Sequence, residues 1–138
     1  MTATIDAIAK AGANWSIEVT PPGAVKIDDF SAILAEGTTV NVTFLPGTDP
    51  VDTIDVAKRL RDAGLVPVPH IAARSLTSKE QLADLVADMT SRANVDEVLV
   101  IGGGVTKPVG EFASTMEVLE TGILQKAGIR KIGVSGHP

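Results

Sequence analysis

Apolar and polar residues alternate near the start of the chain in a way that marks a first strand. In Ser16-Ile17-Glu18-Val19-Thr20-Pro21-Pro22, Ile17 and Val19 fall on one face and Ser16, Glu18 and Thr20 on the other. Pro21 and Pro22 have no N–H to give to a ladder and stop it. Upstream, Ile5, Ile8 and Ala9 recur at helical spacing and predict a short helix over 4–13. Downstream, Ile27, Phe30, Ile33 and Leu34 predict a helix closed by Gly37. Val40, Val42 and Phe44 then alternate with Asn41 and Thr43 as a second strand over 39–44. Asp49 as N-cap, Pro50 in the first helical position and Gly64 as the stop punctuate the next helix, whose inward stripe is Val51, Ile54, Ala57 and Leu60. Residues 66–72 predict a third strand, extended in path but with a ladder weakened by Pro67 and Pro69. Thr77-Ser78-Lys79-Glu80 has the form of a capping box opening a helix with apolar face Leu82, Leu85, Val86 and Met89. Val98-Leu99-Val100-Ile101 is a continuous apolar run, the pattern of a strand buried on both faces of a parallel sheet. Gly102-Gly103-Gly104 ends it, Ser114-Thr115-Met116-Glu117 opens a further helix running to Gly128, and 131–135 form a fifth strand.

Strands and helices alternating every 25 to 33 residues or so predict βα units with parallel pairing and right-handed crossovers. The class is α/β, and 1–138 is a single domain with no linker, low-complexity tract or close repeat to divide it. The spacing suits a (β/α)8 barrel, which takes roughly 250 residues for its eight units. This chain supplies a partial (β/α)8 barrel: five parallel strands, four intervening helices and the short N-terminal helix. A five-stranded doubly wound sheet competes, and on length alone it is the better fit.

Composition narrows the function classes. The net charge of −5 and the lack of any basic run argue against nucleic acid as the main partner. No cysteine is present, which removes disulfides, thiolate catalysis and cysteine-ligated metals. No apolar run approaches membrane-spanning length, and the first residues lack a signal-peptide pattern, so the expected compartment is the cytoplasm.

Function in parallel α/β folds collects at the carboxyl ends of the strands. Those ends carry Glu18 and Thr20, then Thr43 and Phe44, His70, Gly102 to Gly104, and Gly136-His137. Ser16, Glu18, Thr20, Asn41 and Thr43 share the side opposite the apolar stripe. If that stripe meets the helices, the other side is a polar interior suited to a polar ligand. Each feature has a plainer reading: Glu18 as a solvated or paired carboxylate, His70 as a core histidine, the glycines as a tight turn. The glycines do not complete a dinucleotide fingerprint, because Lys107 stands where the third glycine belongs and no helix begins there. Phosphate-loop, zinc-spacing and Ser-His-Asp patterns are absent from the sequence.

Taken together, these residues resemble the methylenetetrahydrofolate reductase family, flavin-dependent (β/α)8 barrels. The family's first strand carries a Ser-Phe-Glu-Phe-Phe-Pro-Pro signature, matched by Ser16 to Pro22 with the glutamate kept as Glu18. Its Val-Thr-Tyr-Gly pattern is similar to Val42-Thr43-Phe44, and its Pro-His pair to Pro69-His70. An aromatic-Ala-Ser step matches Phe112-Ala113-Ser114, and an Ala-Gly-Tyr-Pro turn looks like Ser135-Gly136-His137-Pro138. The similarity runs from Trp15 nearly to the end of the chain.

The resemblance implies hydride transfer from reduced FAD to 5,10-methylenetetrahydrofolate, giving 5-methyltetrahydrofolate, with a reduced pyridine nucleotide as electron donor. Glu18 would be the general acid, a role that needs a carboxyl group still protonated near neutral pH. Thr43, Phe44, His70, Gly102, Gly103, Gly104, Ala113 and His137 would line the flavin. Three departures accompany the match. Gly104 stands where the family has an aspartate, which should alter flavin potential and weaken pterin binding. Gly102 replaces an arginine and His137 a tyrosine. The last three strands of the barrel have no counterpart. The chain therefore resembles the N-terminal part of such a barrel, and its open strand edges predict a homo-oligomer. A non-catalytic partial-barrel module that binds flavin, folate or a partner weakly is the alternative. A separate nucleotide-binding domain is disfavoured by the missing phosphate loop.

Overall fold

The computed structural model describes residues 2–135. Strands β1 (Ser16–Val19), β2 (Thr39–Val42), β3 (Val66–Ala72), β4 (Glu97–Ile101) and β5 (Lys131–Val134) form one sheet in the order 1-2-3-4-5, every neighbouring pair parallel. The class is α/β, and the unreversed order lacks the switch point of a doubly wound sheet. The sheet is open, with β1 and β5 at its two edges. Among the described residues no helix is long and apolar enough to cross a membrane.

Register sorts the side chains. Ile17↔Val40, Val19↔Val42, Val42↔Pro69, Ile71↔Val100 and Val100↔Val134 put one set on a common face. On that face lie helices α3 (Pro50–Asp62), α4 (Lys79–Ala93), α5 (Thr115–Glu120) and α6 (Ile123–Lys126). Ile54 and Ala57, Leu82, Val86 and Met89, Val118 and Leu124 pack with Ile71, Val98 and Val100 in one core cluster. A second cluster joins Val40 and Val42 to Val56, Leu60, Leu65 and Phe30. Each fully buried leucine or valine contributes about 1.5–3 kcal/mol.

Several elements differ from their sequence pattern. The helix expected over 27–34 is only a 3-10 turn at Phe30–Ala32. There Asp29 accepts hydrogen bonds from the N–H (2.9 Å) and the hydroxyl (2.6 Å) of Ser31, an alternative to the helical ladder. Arg59 also reaches from α3 to the carbonyls of Ala24 and Ile27, with its guanidinium 5.1 Å from the Phe30 ring centroid. The helix expected over 115–128 is two, α5 and α6, parted by Gly122 at φ +68°. The cap of α4 is Ser78, not Thr77: its hydroxyl accepts from Gln81 N–H at 3.1 Å, while Gln81 turns back to Thr77. The N-terminal helix α1 is Thr2–Ala11, and Pro21 and Pro22 open a single turn, α2 (Pro21–Ala24), capped by the Thr20 hydroxyl. β4 is not buried on both faces, because only Val98 and Val100 are fully covered while Leu99 and Ile101 are half-buried.

β3 resolves its two prolines by direction. Val66 N–H donates to Thr38 O at 3.0 Å, so the alternate positions Pro67 and Pro69 turn their nitrogens toward β4. The β2 register covers Val66 to Pro69, whereas the β4 register starts only at His70↔Leu99.

Candidate functional site

The face turned away from the helices carries the polar set. Glu18 pairs with Asn41 and Asn41 with Val68. One level toward the carboxyl ends lie Thr43 and His70, with Leu99 and Gly133 continuing the level through the register His70↔Leu99↔Gly133. Thr43 extends the pairing past β2 through its N–H to Val19 O, at 3.0 Å. Its hydroxyl donates to Glu18 Oε1, joining the two predicted polar residues across strands.

His70 sits in the central strand between these rows and is 7% exposed. Its Nε2 is buried with no hydrogen-bond partner among the described residues. Burial holds the imidazole below its ordinary value of 6.5, against a smaller opposing pull from the Glu18 carboxylate. A buried ring nitrogen without a partner costs free energy, and any group that reached it with a hydrogen bond would relieve that cost. Glu18 itself is exposed on the edge strand, so the described residues do not provide the desolvation its expected acid role calls for.

The glycine turn crosses the carboxyl end of the sheet. Gly102 is buried and Gly103 adopts φ +93°. A Cβ on Gly103 would lie 3.2 Å from Ala72 Cβ, and one on Gly104 would lie 3.8 Å from Pro46 Cγ. The turn thus reaches from β4 over the end of β3 to the loop after β2. Phe44, half-buried, begins that loop.

Ala113 is not brought to this face by any contact of its own. Its N–H donates to Glu117 in the α5 capping box, and its carbonyl accepts from Arg74. The expectation for His137 lies outside the described residues. Arg74 escaped the sequence reading; its one visible signal was a cation directly after a strand end, where small residues otherwise stand. Ser75 also escaped it, and its Oγ is buried without a partner, 3.9 Å from the Cβ position of Gly103.

Clefts are present around Lys79, Glu111 and Glu117, and between α3 and α4 around Val51, Asp84 and Leu85. Among the described residues no cluster of His, Asp and Glu could hold a metal ion. No protein-family model matches the chain.

Proposed function

We propose that this chain is the N-terminal part of a flavin-dependent methylenetetrahydrofolate reductase barrel, and that its helix-free face binds the flavin. The observation that carries the reading is the grouping of Glu18, Thr43 and the unpartnered, buried Nε2 of His70 at the carboxyl ends of adjacent parallel strands. The residues fit the group. His70 offers a ring nitrogen with nothing else to bind, and the side-chain-free turn at Gly102 to Gly104 leaves room for close approach of an isoalloxazine or a phosphate. When bound, FAD would supply the hydride, and a reduced pyridine nucleotide would replenish it.

This chain's own residues do the rest. Thr43 fixes the rotamer of Glu18 by donating to Oε1, leaving Oε2 to hold or deliver a proton to the folate ring nitrogen. His70 would orient the flavin through its ring nitrogen. The uncharged Gly104 leaves the pterin without a carboxylate partner there, which weakens folate binding.

A second reading is favoured by the exposure of Glu18 and the open sheet: a non-catalytic module that binds flavin or folate weakly. On either reading the free edges of β1 and β5 make a second copy of the chain a partner.

Titration of the purified protein with FAD, followed by flavin fluorescence, separates these readings from neither being right. Saturable quenching is expected, and its absence removes the flavin reading altogether. With flavin bound, Glu18→Gln should lower folate reduction by about 10²–10⁴-fold while sparing oxidation of the reduced pyridine nucleotide. Loss of both activities would contradict the acid role. Flavin binding without folate reduction in the unaltered chain selects the module.

A further inference from the structure

We propose that Arg74 is a positioning residue that holds the loop after β4 down over the candidate site; the proposal rests on the flavin reading above. Between Ile101 and the start of α5 the chain runs through 102–114 without helix or strand. Loops of this length in compact domains are usually either functional or loose. This one is tied at its start, middle and end by a single residue. Arg74 N–H donates to Gly102 O at 3.0 Å, and Arg74 O accepts from Val109 N–H at 2.8 Å. Its Nη1 donates to Val105 O at 3.2 Å and its Nε to Ala113 O at 3.1 Å.

The neighbouring contacts agree. Lys79 N–H donates to Glu111 at 2.7 Å, Phe112 is buried, and a Cβ on Gly110 would meet Thr77 O at 2.1 Å. The loop therefore lies flush against the connection after β3. The consequence for the site is the height of the glycine turn, which touches Ala72 and reaches Pro46 just beyond the Thr43–His70 level. A planar guanidinium can serve two diverging carbonyls from one fixed fork, and a lysine ammonium cannot reproduce both directions. Without the fork the backbone bonds to Gly102 and Val109 remain, so the loop stays attached while the stretch between them and the Ala113 end lose their side-chain ties.

The test uses the full chain with Arg74→Lys and Arg74→Gln. Amide hydrogen exchange without ligand reports the loop, and FAD titration by fluorescence reports the site. The expected result is exchange over 102–113 faster by about tenfold with α3 and α4 unchanged, and FAD affinity about tenfold weaker. Unchanged exchange over 102–113 overturns the clamp. Faster exchange with unchanged FAD affinity overturns the positioning role. Loss of protection in every segment of both variants would make Arg74 a folding residue and overturn it as well. If the unaltered chain binds no FAD, the flavin reading fails before any variant is compared; the positioning role falls with it, while exchange still decides the clamp.

Discussion

At the scale of single residues, the proposed chemistry turns on one buried imidazole on β3 and one exposed carboxylate two strands away on β1. Glu18 and Thr43 lie on strands that meet in register, so their hydrogen bond follows from alternation alone. His70 differs, because its burial comes from standing in the central strand between half-buried neighbours. A histidine kept neutral by burial makes stability depend on pH in a definite direction. The unfolded chain takes up the proton near 6.5 while folded His70 resists it, so the unfolded state binds more protons below that pH. Stability should therefore be fully present above 6.5 and fall as pH drops from there toward the lowered folded value. Denaturant melts across this window should show the slope, and His70→Asn should flatten it. A slope unchanged by the substitution would mean that other groups carry it. If the proposed flavin site is right, FAD should raise stability most at neutral pH, where the imidazole is uncharged.

At the scale of elements, legibility follows from how local the determining interaction is. The Asp49-Pro50 start and Gly64 stop of α3 were readable because cap, first-turn proline and αL stop all act within a few residues. The same holds for the capping box at Ser114. Where apolar spacing competed with a side-chain bond, spacing failed: Asp29 captured the backbone at Ser31 and left a 3-10 turn in place of a helix. Gly122 likewise cut a helix whose stripe alone looked continuous. Leu99 and Ile101 misled for a different reason, since their apolar run reflects a face left open rather than one covered by helices. Of the site, Glu18, Thr43 and His70 were legible from strand ends. Arg74 and Ser75 were not, because their neighbours lie in a loop 28 or more positions away in sequence (Gly102 to Arg74). That loop gives a prediction of its own. A methyl group on Gly110 meets the backbone carbonyl of Thr77, which cannot rotate away, whereas one on Gly104 has only Pro46 at ordinary contact. Gly110→Ala should cost about 1–3 kcal/mol and lower the melting temperature by several degrees. Gly104→Ala should stay within about 0.5 kcal/mol. Equal melting of the two variants would contradict the flush packing of the loop.

At the scale of the whole molecule, the open sheet poses a problem that its two edges answer differently. β5 carries Lys131, with 75% of its side chain exposed and Nζ 2.9 Å from Glu97, a cation of the kind that discourages edge pairing. β1 has no such guard. Ile17 is 45% exposed there, Trp15 just before it 51%, and α1 adds Ile5 and Ile8 at 66% and 67%. Unpaired strand groups and four large apolar side chains thus lie close together along the first 17 residues. A second copy meeting this edge about a two-fold axis would pair β1 with β1 antiparallel and bury both sets at once, a closed contact that needs no third chain. Among the described residues the β5 edge offers only Val134, 54% exposed, so the asymmetry favours dimers over open chains of copies. Sedimentation equilibrium at micromolar concentration should therefore give twice the 14.3 kDa of one chain. Ile17→Lys places on β1 the guard that β5 already has, at a position 45% exposed and outside both core clusters. It should return the mass to that of one chain without lowering helix content. A single-chain mass for the unaltered protein, or a dimer that survives the substitution, would remove β1 as the contact.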